Sequence, residues 1–282
     1  KNQTYQNWEL IFWDNNSIDN SKKIFENFKE NRFKYFNSGK SSGLGEARLK
    51  AYNQCKGELI AFLDVDDLWD ERKLEKQVPE FKNEKIGLVI CNTLLFNNKE
   101  QSALMYQKKL PPIGNVYQEL IRNYFVSLET LIIRKKFIDE LEYSFDPKYD
   151  IIHDLDLVSR VSKISDLAYV SDTLAKWRIH EKGESWKNLE KTNFEKRVFI
   201  KNFKDDNNSI LKKTKKNFLE NLYKDEIKFL LFNGRKFDAI KLAIKNFQFS
   251  FNNFLILIFA LIPFSKFFYK KISKFGKLYP KL

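Results

Sequence analysis

Along the first 91 residues, apolar blocks alternate with polar ones. Residues 8–13 (Trp-Glu-Leu-Ile-Phe-Trp) are apolar except for Glu9, and Asp14-Asn15-Asn16-Ser17 closes them. This predicts a buried strand followed by a polar turn. Ile24, Phe25 and Phe28 share one face of a predicted helix over residues 21–28, and residues 33–36 read as a second strand. A loop with Gly39, Gly43 and Gly45 precedes a predicted helix over 47–55, stopped at Gly57. Residues 59–63 (Leu-Ile-Ala-Phe-Leu) are continuously apolar, as expected of a strand buried on both faces of a parallel sheet. A helix over 74–81 and a strand over 87–91 complete an α/β alternation. Between 92 and 150 the pattern is less regular, with Pro111-Pro112, a predicted helix over 116–124 and a predicted strand over 130–133. From Asn188 onward the chain reads as helical. Residues 219–247 form a predicted helical hairpin that turns at Asn233-Gly234.

Composition changes this picture in one respect. The 282 residues suffice for one sizeable α/β domain and a smaller appendage, and 43% hydrophobic with 31% charged residues excludes general disorder. Cys55 and Cys91 make no disulfide framework and fit a reducing compartment. The net charge of +13 is unevenly placed. Residues 1–186 carry 28 Lys and Arg against 29 Asp and Glu, whereas residues 187–282 carry 22 against 8. A basic tail of this kind points to an anionic surface as partner, membrane headgroups or nucleic acid, and of the two the membrane is the expected partner. The N-terminal residues show no secretory-signal pattern, and Lys1-Asn2-Gln3 leads straight into strand-like sequence, as in a piece of a longer gene product.

The chemistry concentrates in four places. Asp64, Asp66 and Asp67 stand within four positions after the apolar run at 59–63. Clustered carboxylates repel one another unless a cation or hydrogen bonds compensate. A hard divalent ion bridging one or two of them to substrate phosphates suits the cluster, although an acidic turn or helix cap has the same composition. Asp14, also at a strand end, suits a base or ribose contact, or simply a turn. Asp154 and Asp156 open an apolar-periodic stretch, as a general base or as helix-start acids. Trp177-Arg178-Ile179-His180 holds one of only two histidines, the other being His153. There is no phosphate-binding P-loop ending in Lys-Ser/Thr, no Cys-x-x-Cys and no Gly-x-Ser-x-Gly elbow.

Taken in order, these segments resemble the family 2 glycosyltransferases of GT-A fold. Residues 3–10 resemble the segment leading into the family's second strand, and Asp14-Asn15-Asn16-Ser17-Ile18-Asp19 its Asp-Asp-Gly-Ser-Thr-Asp turn. Gly45-Glu46-Ala47-Arg48 is similar to its Ala-Arg-Asn helix start, and residues 57–69 to its DXD region. Asp154-Leu155-Asp156-Leu157 is similar to Glu-Asp-Tyr-Asp-Leu, and Trp177-Arg178-Ile179-His180 to the closing Tyr-Arg-x-His. The departures are Asn15-Asn16 for Asp-Gly, Leu49 for Asn, and His153 for the acidic residue before the base.

The resemblance implies a Rossmann-like, mostly parallel sheet flanked by helices over residues 1–187, with a basic helical extension over 188–282. It also implies that the family's first strand lies upstream of Lys1. The implied activity is inverting, metal-dependent transfer from a nucleotide-sugar donor to a saccharide or lipid-linked acceptor, in surface-polysaccharide or lipopolysaccharide synthesis. Asp14 then contacts the nucleobase, Asp64 the ribose and metal, and Asp66 the metal, which is Mg or Mn. Asp154 is the base, and His180 approaches the metal or diphosphate. The alternatives are a nucleotidyltransferase, which lacks here an early basic phosphate loop, and a non-catalytic scaffold with a basic tail. Residues 254–264 are strongly apolar but shorter than the roughly 20 residues needed to span a bilayer, and Lys266, Lys270, Lys271, Lys274, Lys277 and Lys281 follow. This predicts peripheral attachment of residues 250–282 to the cytoplasmic face of the membrane.

Overall fold

The computed structural model of the chain describes residues 1–97, 102–107, 109–180, 188–202, 209–232 and 234–246. They fall into two compact units. The first comprises Lys1–Leu94, Leu104–Tyr117 and Phe125–Trp177. The second comprises Leu95–Ala103, Gln118–Tyr124 and the described residues from Arg178 onward.

The chain opens with β1 (Leu10–Asp14), α1 (Ser21–Glu26), β2 (Phe33–Asn37) and α2 (Leu44–Tyr52). β1 and β2 pair in parallel, from Leu10 opposite Phe33 to Asp14 opposite Asn37, as a two-stranded sheet of their own. Aromatic side chains fasten it: Phe12 stacks on Tyr35, Trp13 stacks on Phe36, and Phe25 of α1 reaches Phe12 and Tyr35. Next come β3 (Leu59–Ala61), β4 (Leu68–Trp69), α3 (Lys73–Gln77), β5 (Ile86–Phe96), β6 (Ser102–Leu104), α4 (Tyr117–Arg122), β7 (Ile132–Arg134), α5 (Lys135–Asp139), α6 (His153–Val161) and β8 (Asp166–Arg178). The second sheet runs β3-β7-β5-β8-β4, with β6 on β5.

The α/β class stands, but the pairing departs from a mostly parallel sheet. β3 with β7, β5 with β7, and β4 with β8 are all antiparallel. The apolar run at 59–63 reports burial on both faces, not the direction of its neighbours. Leu59 and Ala61 pack against the cluster of Leu74, Phe81, Ile86, Val89 and Ile132, while Ile60 is buried. The strand also ends earlier than the run. Phe62 lies edge-on to Phe145 at 6.1 Å, and Leu63 is exposed.

One buried cation fixes the element that follows the acidic loop. Lys73 is fully buried and donates to Gln77 Oε1 (2.6 Å) and the Thr130 carbonyl (3.3 Å). Its ammonium lies 4.4 Å from the centre of the Trp69 ring. Burial pushes its pKa down to about 8. The Trp69 indole N–H donates to the Glu129 carbonyl at 2.7 Å.

The second unit carries α7 (Leu189–Asn202), α8 (Ser209–Phe232) and α9 (Lys236–Lys245). The predicted hairpin is present as α8 and α9. Gly234 takes φ +75°, a left-handed conformation that glycine adopts without steric cost. Its N–H bonds the Leu231 carbonyl, and the Arg235 N–H bonds the Leu230 carbonyl, which caps α8. Ile227, Leu230, Ala239 and Ala243 form the shared core of the two helices. No helix of the described residues is long and apolar enough to cross a membrane. The membrane-surface segment expected over 250–282 lies outside the described residues.

Candidate functional site

The acidic loop leaves β3 as a tight turn in which the Asp67 N–H donates to the Asp64 carbonyl at 3.0 Å. Asp67 is buried, Asp66 is half-buried and Asp64 is exposed. Asp64 accepts a 2.8 Å hydrogen bond from Arg48 Nη2, which comes from α2. The Arg48 side chain is 12% exposed and its guanidinium lies beside the Phe62 ring. An exposed carboxylate is therefore held by a cation that is itself rooted in the fold.

The start of α2 is seated against the segment before α6. A Cβ on Gly45 would overlap the Tyr149 carbonyl oxygen, and one on Gly43 would overlap the Asp150 carboxylate. At Gly45 only glycine allows the two backbones to approach this closely. Phe145 fills the space below. Its ring lies 6.2 Å from Tyr52 at the end of α2, 6.1 Å from Phe62 after β3, and 6.2 Å from His153 at the start of α6. Three segments far apart in sequence thereby meet on one aromatic ring.

α6 opens with His153, Asp154 and Asp156 in its first turn. The Asp154 side chain is one-fifth exposed and that of His153 is buried. Burial, helped by the Arg48 charge, pushes the His153 pKa down to about 3, so the imidazole is neutral at ordinary pH. Asp156 is also buried. It accepts from Arg160 Nε (3.0 Å) and Nη2 (2.7 Å), and Arg160 also donates to the carbonyls of Tyr143 and Ser144. Asp156 thus ties α6 to the chain before it.

Asp14 closes β1 and is 3% exposed. It accepts from the Tyr35 hydroxyl and, at 2.7 Å, from the Ser17 N–H. Burial would raise its pKa, but these hydrogen bonds together hold it below the usual carboxylate value. The next two residues explain a departure from the family turn. Asn16 takes φ +68°, the conformation that a glycine would supply and that asparagine tolerates better than most residues. Asn15 Nδ2 donates to the Ser42 carbonyl at 2.7 Å, and the Ser42 N–H donates back to Asn15 Oδ1 at 3.1 Å. The β1 turn is thereby tied to the loop that leads into α2.

Of the sequence candidates, Asp64 and Asp154 are linked through α2, and Asp14 reaches the same helix through Asn15 and Ser42. His180 lies in the second unit, two residues after β8. Arg48, Gly43 and Gly45 emerge as site-forming residues whose roles the sequence left unassigned. A regional hint existed in the Gly-Leu-Gly-Glu-Ala-Arg run, but nothing local names Asp64, 16 residues away, as the partner of Arg48. The donor set suits a hard divalent cation, because Asp64 and Asp66 offer carboxylate oxygens. Among the described residues no three His, Cys, Asp or Glu side chains converge on one point. Such an ion would complete its shell from water and a ligand diphosphate.

The family model described as Glycosyl transferase family 2 matches residues 1–141, half of the chain. The UDP-Glc:alpha-D-GlcNAc-diphosphoundecaprenol beta-1,3-glucosyltransferase WfgD of Escherichia coli is 31% identical over 149 residues, covering 52% of this chain and 57% of that protein. A second Escherichia coli enzyme of the same description, WfaP, is 26% identical over 178 residues, covering 63% and 68%. Among solved structures, TarS of S. aureus (residues 1–349, in complex with UDP) superposes with a TM-score of 0.57 at 17% identity, covering 78% of this chain and 63% of that one. This likeness shows the GT-A fold. The chain therefore spans a little over half of WfgD and less than two thirds of the TarS structure.

Proposed function

The chain belongs to glycosyl transferase family 2, and from that premise we propose that it moves a sugar from a nucleoside-diphosphate donor to a hydroxyl of a lipid-linked acceptor in surface-polysaccharide synthesis. One observation supports this most: the helix whose Arg48 holds Asp64 is seated by Gly43 and Gly45 on the segment that opens α6 at Asp154. A donor end and a base end are thereby built on one framework. The substrates in the name of WfgD, a UDP-glucose donor and a diphosphoundecaprenol-linked acceptor, suggest the chemical class of both ligands.

Asp154 acts as the general base. Its carboxylate takes the proton of the acceptor hydroxyl as that oxygen bonds to the anomeric carbon. The bond from that carbon to the diphosphate breaks on the opposite side, the electron pair leaves with the nucleoside diphosphate, and the configuration inverts. Asp66, with Asp64, would hold Mg or Mn, which when bound would offset the charge developing on the leaving diphosphate. Asp14 lines the nucleobase end. The test is transfer from a panel of nucleoside-diphosphate sugars to a diphosphoundecaprenol-linked acceptor, with NMR of the new anomeric centre. Inversion is expected. Retained configuration would reject direct displacement, and no transfer from any donor would reject the reading as a whole.

The basic tail is assigned to the anionic inner leaflet, next to such an acceptor. Residues 266–281 set six lysines beside aromatic rings, a pattern suited to the headgroup region. Flotation with anionic liposomes should need residues 250–282 and weaken with salt. Equal flotation of intact and shortened chains would remove this assignment.

A further inference from the structure

His153 stands between the two ends of the candidate site and has no role in the reaction as written above. Its ring is 3% exposed, lies edge-on to Phe145, and has its Cβ against Gly45 of α2. Neither ring nitrogen has a hydrogen-bond partner among the described residues. A neutral imidazole carries one N–H and one lone pair, and burying both without partners is costly.

The neighbours can meet both needs. Nδ1 lies 3.7 Å from Asp154 Oδ1, beyond hydrogen-bond range but closed by a small rotation of the Asp154 side chain. Arg48 lies three positions after Gly45 on α2, the helix whose start faces the His153 Cβ, and its Nε–H is likewise buried without an acceptor. The third charged group acting on the ring is Asp150, which opposes the effect of Arg48. A carboxylate accepts and a guanidinium donates. Between Asp154 and Arg48, only one tautomer satisfies every group: N–H at Nδ1, lone pair at Nε2.

We propose that His153 is a positioning residue for Asp154, donating from Nδ1 to its carboxylate while Nε2 accepts from Arg48 Nε, so that Asp64, Arg48, His153 and Asp154 form one connected line. The proposal rests on the reading of Asp154 as the base. The hydrogen bond fixes the rotamer of that carboxylate and favours its ionised form. A neutral donor does so without placing a second carboxylate beside the base, which is what the acidic residue of the family pattern would do.

The chain has two histidines, so ¹⁵N NMR of the imidazoles is direct, and His153→Phe assigns the signals. The expected signature is a neutral Nδ1–H ring that stays unprotonated down to about pH 5. The Nε2–H tautomer would overturn the proposal. In full-length enzyme, His153→Phe keeps the ring packing and removes both nitrogens. It should lower kcat about tenfold, the scale of one charge-assisted hydrogen bond, with donor KM unchanged. The acidic limb of kcat should move up by about one pH unit, because the base loses a donor to its charged form. His153→Gln, which restores an N–H, should recover most of kcat. An unaltered kcat and acidic limb in a His153→Phe enzyme that binds donor normally would reduce His153 to packing. If that variant does not fold, the wild-type tautomer and the His153→Gln profile decide. If Asp154→Asn keeps its turnover, the base reading itself has failed, an outcome distinct from all of these.

Discussion

Asp154→Asn in the full-length enzyme is expected to lower turnover by about 10²–10⁴, the usual scale for loss of a general base, while donor affinity stays unchanged. Asparagine keeps the shape of the side chain and one acceptor oxygen but takes no proton. The effect therefore falls on kcat, as about 3–5 kcal/mol of lost transition-state stabilisation. The contrast with Asp156 makes the prediction sharp. The two acids lie two positions apart in α6, about 200° around the helix, and so project to different sides. The Asp156 side chain is 6% exposed and engaged by two nitrogens of Arg160, whereas that of Asp154 is 20% exposed. Asp156→Ala would leave Arg160 half-buried without its carboxylate. It is expected to cost about 3–5 kcal/mol of folding stability, read as a lower melting temperature, rather than a selective loss of turnover. Steady-state kinetics, donor calorimetry and thermal melts on both variants separate the two roles. Selective loss of turnover in Asp156→Asn, with Asp154→Asn active, would reverse the assignment.

How far the sequence reveals this arrangement depends on how local each feature is. β1, β2 and β5 are legible because each carries its own apolar run, and α2 and the α8–α9 hairpin because Gly43, Gly45, Gly57 and Asn233-Gly234 punctuate them. β8 is not, although it spans 13 residues. Its buried positions, Leu167, Leu174 and Ala175, are interrupted by exposed Ser171, Asp172 and Thr173, so no alternation emerges. β4 is two residues long and exists only through its pairing with Lys176 and Ala175. Strand direction is illegible for a related reason: the apolar content of residues 59–63 records burial, and the antiparallel partner β7 arrives some 70 residues later. The carboxylates of the candidate site are legible as polar residues ending apolar runs. The residues that hold them are not. Arg48 finds Asp64, Gly45 admits Tyr149, and Phe145 gathers three segments, all through long-range packing. Asn16 is an intermediate case. Its φ of +68° shows why asparagine serves in place of the glycine of the family turn.

The central claim is that Asp64 and Asp66 form the metal-dependent end of a nucleoside-diphosphate site. Its test needs neither the sugar nor the acceptor to be known. In the structure Asp64 is already bonded to Arg48, so the claim gives the larger share of the cation to Asp66. Asparagine at 66 keeps the size of the side chain and one oxygen but removes the negative charge that a hard divalent ion prefers. Asp66 is half-buried on a surface turn outside the apolar core, so the change should leave the thermal melt nearly unchanged. The measurement is a calorimetric titration of the full-length protein with uridine diphosphate, with and without manganese, for wild type and Asp66→Asn. The expected result is binding to wild type that strengthens at least tenfold with manganese, and an Asp66→Asn protein, folded by its melting curve, in which that enhancement is gone. Equal binding with and without manganese in wild type, or an unchanged manganese effect in Asp66→Asn, would contradict it.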